Sequence, residues 1–232
     1  MALRRTRTTA ALAALGDEVV ACGRCPRLRA HCAETARAKV RRFRADEYWG
    51  RPVPSFGDPR ARLVIVGLAP AAHGANRTGR MFTGDDSGTW LHRALHQAGF
   101  ASQPESVHRD DGLVLRDAWI TAAAHCAPPG NRPSPAEIVA CRPFLVRELE
   151  LLDRARVVMA LGLIAWNAVI AALGEQGVAL RPRPRFEHEA EVQLDGRRVL
   201  LGSYHPSRQN TQTGRLTREM LSSVVARARR LL

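Results

Sequence analysis

Lysine is almost missing from this chain. Lys39 is the only one among 35 basic residues, and the rest are arginine. Chemistry that runs through a lysine Schiff base therefore has no candidate in the glycine-rich loops. No apolar run approaches the ~20 residues that a bilayer-spanning helix requires, so no membrane association is expected. The first residues place arginines before an Ala/Leu stretch, as a secretion signal does, but Asp17 and Glu18 interrupt it. The expectation is a cytoplasmic protein. The glycine-rich loop after Val66 contains neither G-x-x-x-x-G-K-[ST] nor the spacing G-x-G-x-x-G, which sets aside the common nucleotide cradles. Internal repeats and low-complexity linkers are also lacking, and 232 residues suit a single domain, 1–232.

The chain does have charge of one sign. The formal net charge is +13 and the sequence pI about 11.2. Such an excess favours a polyanionic partner, nucleic acid first, although an arginine- and alanine-rich chain also fits the codon bias of a GC-rich genome. Hydrophobic content of 45% is enough for a sizeable core.

Apolar runs at Leu63–Val66, Ala118–Ala123, Val157–Leu161 and Arg197–Leu201 read as strands, the last in a hairpin with Glu191–Leu194 about Asp195-Gly196. Helical spacing predicts helices over 8–21, 33–48, 89–98, 135–152, 165–173 and 217–232. The fourth opens on Ser134, Pro135 and Glu137 in N-cap order, and Gly174 is expected to stop the fifth. Strands alternating with helices imply an α/β fold, a mainly parallel sheet covered on both faces.

Two strands empty into unusual loops, Gly67–Gly88 (GLAPAAHGANRTGRMFTGDDSG) and Ser203–Thr217 (SYHPSRQNTQTGRLT). Loops at strand ends are where α/β proteins place ligand sites. Phe82, alone among small and polar residues, suits either a hydrophobic plug or a stacking platform. Asp85 and Asp86 precede a helix, where either can cap it or supply a catalytic carboxylate. Cys22-x2-Cys25, with Cys126 and Cys141, offers four thiolates for tetrahedral zinc or a [4Fe–4S] cluster, and Cys32 is left over as a small semi-buried thiol.

These loops, with Thr121–Pro135 (TAAAHCAPPGNRPSP) between them, resemble the motifs of the uracil-DNA glycosylase superfamily, most closely its family 5, over roughly residues 20–230. The resemblance implies a three-layer α/β/α sandwich with a short central sheet. It also implies a [4Fe–4S] cluster on Cys22, Cys25, Cys126 and Cys141 with a structural role, tying on an N-terminal helix and cysteine loop at about 8–32. The implied activity is a monofunctional, monomeric DNA glycosylase. It would flip uracil, and other deaminated bases such as hypoxanthine, out of DNA and hydrolyse the glycosidic bond. In that reading Phe82 stacks on the base and His205, as a neutral imidazole, donates to uracil O2. Asp85 activates water or stabilises the oxocarbenium ion, with Asp86 as the alternative. Gly67, Ala69, Pro70, Ala71, His73, Asn76 and Asn131 line the pocket, while Arg77, Arg80, Arg132, Ser207, Arg208, Gln209 and Arg215 contact DNA. Ser207 orients its loop or holds a phosphate.

The first motif lacks the acidic or polar group that other branches carry near Ala71. Ala122 stands where related families place a uracil-reading Asn, so a permissive pocket is expected. The polar run Gln209–Gln212 leaves the residue that wedges the duplex unassigned. A non-catalytic iron–sulfur nucleic-acid-binding protein on the same fold is the alternative, disfavoured because a binder has no use for His205, Asp85 and Phe82 together.

Overall fold

The computed structural model describes residues 2–232, with side chains from residue 6 onward. Six strands form one sheet: β1 (Phe56–Gly57), β2 (Leu63–Gly67), β3 (Ala118–Ala122), β4 (Val157–Leu161), β5 (Glu191–Gln193) and β6 (Val199–Ser203), in the order β1-β3-β2-β4-β6-β5. The central β3, β2, β4 and β6 run parallel, and the two edge strands are antiparallel. Every residue of β2, β3 and β4 is buried, as continuous apolar runs require when both faces are covered.

Among the described residues eight α-helices accompany the sheet: α1 (Ala2–Ala21), α2 (Pro26–Ala38), α3 (Ala75–Thr78), α4 (Asp86–Gln97), α5 (Pro135–Leu151), α6 (Leu163–Glu175), α7 (Arg208–Gln212) and α8 (Arg218–Arg230). Successive side chains on a strand point to opposite faces. Leu63 and Ile65 of β2 therefore enter one core with Leu91 and Leu95 of α4 and Leu221, Val224 and Val225 of α8. Val64 and Val66 enter another with Leu145 and Leu149 of α5 and Trp166 and Val169 of α6. This is the expected α/β/α arrangement. Leu15 and Val19 of α1 pack on Phe144 of α5, and exposed Glu18 pairs with Arg147.

Several boundaries differ from expectation. The helix expected over 33–48 is α2, which ends at Ala38, because Lys39 takes the left-handed φ of 50°. A short 3-10 turn, Arg41–Phe43, follows. Gly174 lies inside α6, and the left-handed residue beyond that helix is Gly177. β1, α3 and α7 are too short to show a period. The capping box at Ser134 and Glu137 is present, each side chain bonding the other's backbone N–H. No helix among the described residues is long and apolar enough to cross a membrane.

Candidate active site

Parallel strands deliver their C-terminal ends to one side of the sheet, and the loops after β2, β3 and β6 meet there. They enclose a cleft of about 660 Å³. Ala69, Pro70, Ala71, His73, Phe82 and Asp85 line it from the first loop, Asn131 and Arg132 from the second, and His205, Ser207, Arg208 and Gln209 from the third. The fourth wall, Val40, Arg42 and Phe43, comes from the turn after α2.

The cleft centres on two rings. Phe82 and His205 face each other with centroids 5.9 Å apart and planes inclined by 32°. Phe82 holds a left-handed φ of 50°, an uncommon conformation for a bulky residue that the surrounding structure has to enforce. Its ring lies against Gly67, where an added Cβ would sit 2.6 Å from the ring edge. Gly67 thus shapes the site from beneath the ring. Burial pulls the His205 imidazole down to a pKa of about 4, because desolvation disfavours the cation. At neutral pH the ring is uncharged and carries one N–H donor. Its backbone carbonyl accepts from Ser207 N and Asn210 Nδ2, both at 2.8 Å, fixing the strand end that carries it.

Asp85 caps a helix and also borders the cleft. Its Oδ1 accepts from Gly88 N at 2.8 Å and caps α4, while the side chain borders the cleft. Its Oδ2 occupies the space that a side chain on Gly74 would fill. Burial raises its pKa above the ordinary carboxylate value, partly offset by the Gly88 and Ser87 amides. Asp86 also borders the cleft; it is exposed and pairs with Arg208 at 2.6 Å, bridging the first and third loops. Ser207 caps α7, accepting from Asn210 N.

Three assignments need correction. Arg77 and Arg80 are buried, 9% and 6% exposed, and cannot reach a phosphate. Arg77 pairs with Asp46 at 2.7 Å and donates to the His73 and Gly84 carbonyls. Arg80 pairs with Asp111 at 2.7 Å and bonds Thr83 and Ser106. Asn76 is wholly buried and does not line the cleft; its Nδ2 donates to the carbonyls of Cys32 and Ala72, tying α2 to α3. Arg215, expected on DNA, is exposed and lies over the Tyr204 ring, 4.6 Å from its centroid.

The sequence reading missed Arg42, Phe43 and Tyr48, whose hydroxyl meets His73 Nδ1 at 3.2 Å. The available signal was three aromatics within Arg41–Gly50, in a chain only 5% aromatic.

Away from the cleft, Cys22, Cys25, Cys126 and Cys141 all line one cavity, walled by Leu28, Pro52 and Phe144. Cys22 and Cys25 flank the α1–α2 connection, Cys126 follows β3, and Cys141 lies on α5. All are free thiols. Burial and the neighbouring Cys22 and Cys25 push Cys141 up to about 12, and burial raises Cys25. Cys32, fully buried, bonds Cys126 and raises its pKa further. The four thiols converge on this cavity as soft donors, the ligand type that thiophilic metals take. Among the described residues no three His, Cys, Asp or Glu side chains gather as ligands of one metal ion.

Residues 54–229 match the family described as the uracil DNA glycosylase superfamily. The chain is 53% identical to the type-5 uracil-DNA glycosylase of Thermus thermophilus over 213 residues, 92% of this chain and 94% of that one. It is 49% identical to the type-5 enzyme of Mycobacterium leprae, covering 94% of each. Against the type-4 uracil-DNA glycosylase of Pyrobaculum aerophilum, identity is 33% over 58% of this chain and 61% of that one.

Proposed function

The chain belongs to the type-5 branch of the uracil-DNA glycosylase superfamily, and from that premise we propose how its cleft performs the reaction. The reaction is excision of uracil from DNA in repair: water cleaves the N-glycosidic bond, leaving free uracil and an abasic site. The observation that carries the mechanism is a neutral, half-buried His205 facing the strained Phe82 ring across one cleft.

An extruded base enters against Phe82, whose face supplies stacking of about 1–3 kcal/mol. As the bond breaks, its electron pair departs with uracil and C1′ becomes oxocarbenium-like. His205 donates its N–H to uracil O2, where negative charge gathers; such a donor in a dry site is worth roughly 10²–10³ in rate. Asp85, held by Gly88 N, borders the cleft. Ionised, it orients the water that attacks C1′, takes the proton that water loses, and offsets the positive charge on the sugar. Asp86 is engaged with Arg208 and serves as a brace. No lysine lines the cleft, so the enzyme stops at the abasic site without a Schiff-base strand cleavage.

The pocket wall is permissive. Ala69 and Ala71 present no side-chain donor or acceptor, and Ala122 is buried at the end of β3. Hypoxanthine and other deaminated bases are accordingly accepted beside uracil. Arg132, Arg208 and Gln209 meet the DNA at the rim, and one chain supplies every cleft residue, as a monomer needs. Free thiols suit a reducing, cytoplasmic setting.

Cys22, Cys25, Cys126 and Cys141 hold a [4Fe–4S] cluster. The support is their convergence on one cavity. Ligation by these cysteines would join the α1–α2 connection to the loop after β3 and to α5, a structural contribution beside Asn131 and Arg132. The test is alkali-dependent cleavage of duplexes carrying one uracil, one hypoxanthine or neither, with base release measured directly. Release of both bases, and strand breaks only after alkali, is the expected result. DNA binding without base release would replace the enzyme by a binding protein.

A further inference from the structure

The turn after α2 belongs to no catalytic motif, yet it forms a wall of the cleft. Lys39, Arg41, Arg42 and Arg44 place four cations in six positions, and the three arginines are exposed. An ordinary solvated loop would be loosely held; this one is fastened at three points. Phe43 lies between two guanidinium groups, with Arg42 4.2 Å and Arg77 3.8 Å from its ring centroid. Arg77 is pinned by Asp46 and by the His73 and Gly84 carbonyls, in the same loop that carries Phe82 and Asp85. Tyr48 bonds His73 from the same segment.

Asp46 is thereby spent on a buried partner, leaving Glu47 as the other acid of the segment. The exposed arginines keep most of their positive field at the rim. Across the cleft stand Arg132 and Arg208, the latter partly neutralised by Asp86. A basic rim fixed relative to a base-stacking ring suits a phosphodiester backbone, whose phosphates are held while a nucleotide turns inward.

We propose that Arg41, Arg42 and Arg44 form a DNA-backbone site that grips phosphates flanking the extruded nucleotide. The bolted Phe43–Arg77–Asp46 stack sets the site's position relative to Phe82. This rests on the glycosylase reading for what enters the cleft, but not for the binding it predicts.

The experiment compares salt dependence of binding. The probe is a short duplex containing one 2′-fluoro-2′-deoxyuridine, whose fluorine opposes oxocarbenium formation and so preserves the substrate. Three forms of the full chain join the wild type: Arg41→Gln/Arg42→Gln/Arg44→Gln, the lysine triple Arg41→Lys/Arg42→Lys/Arg44→Lys, and the control Arg154→Gln/Arg156→Gln/Arg197→Gln. The control removes equal charge from an exposed arginine cluster beyond the starts of β2 and β4, at the far end of the sheet.

Each lost phosphate contact flattens the slope of log K against log salt by about 0.9. The glutamine triple is expected to lose about 2–3 of slope, the lysine triple to retain it, and the control to match the wild type. Equal flattening in the glutamine triple and the control would reduce the effect to net charge and overturn the proposal. An unchanged slope in the glutamine triple would overturn it too. Failure of the wild type to release uracil from an unfluorinated duplex would refute the glycosylase reading while leaving this comparison legible.

Discussion

Replacing Gly67 by Ala tests the stacking platform without touching it chemically. The added Cβ would lie 2.6 Å from Phe82 Cε2 and 2.7 Å from Cζ, whereas ordinary contact begins at 3.4 Å. The ring must therefore withdraw by about 0.8 Å, the difference between 3.4 and 2.6. Gly67 itself has no left-handed backbone angle, so the substitution adds crowding rather than backbone strain. Overpacking of this kind costs typically 1–3 kcal/mol, but Phe82 borders an open cleft and can relieve part of it by moving. A platform displaced by nearly an ångström alters the 5.9 Å interval between the rings and misplaces the base against its donor. Misplacement by ~1 Å costs on the order of 10²-fold in rate. The assay is single-turnover release of uracil from duplex DNA, with thermal melting alongside. Gly67→Ala is expected to lose 10–100-fold in rate with a small drop in melting temperature, and Phe82→Ala to lose at least as much. Wild-type rate in Gly67→Ala beside a crippled Phe82→Ala would refute the reasoning, since ring position would then be irrelevant.

Further outcomes follow from other parts of the site. His205 has its folded pKa lowered to about 4 from an ordinary 6.5. Its contribution to stability is therefore complete above pH 6.5 and drains away as pH falls from 6.5 to 4, by about 3 kcal/mol. Urea unfolding at pH 7.5 and 4.5 should show a loss smaller by about that amount in His205→Gln than in the wild type, since buried His92, lowered to about 3, contributes its own in both; an imidazole NMR titration of His205 near 6.5 would contradict it. Asp85→Asn keeps a residue that caps helices well but removes the base. Activity should fall by ~10²–10⁴ with melting nearly unchanged, and a large fall in melting alone would return Asp85 to a purely capping role. Cys141→Ser should lose most of the bound iron and inorganic sulfide by elemental analysis, and lower the melting temperature. Full iron content with one equivalent of metal and no sulfide would point to a mononuclear site.

The parallel core was legible because its strands are buried on both faces and read as unbroken Val/Ile/Leu runs. Ser134 and Glu137 were legible because a capping box is written in four consecutive residues. Arg77 and Arg80 were misread for the opposite reason. In sequence each is a free cation in a loop, and the acids that claim them, Asp46 and Asp111, lie 31 residues away on either side. Asn76 fails likewise, since its partner, the carbonyl of Cys32, belongs to a different helix. Asp85 was legible as either cap or catalyst; the geometry shows the cap, with the residue bordering the cleft as well. The turn at Arg41–Arg44 was read as the middle of a helix, because charge at helical spacing cannot reveal that Lys39 has already ended it.

The most direct measurement of the central claim, that the Phe82–His205 cleft releases the base, is free uracil produced in a single turnover by the wild type, Phe82→Ala and His205→Ala at equal, saturating enzyme. Near-stoichiometric uracil from the wild type is expected, with His205→Ala slower by 10²–10³ and Phe82→Ala slower by at least tenfold. Undiminished release from both variants would place the chemistry elsewhere in the molecule.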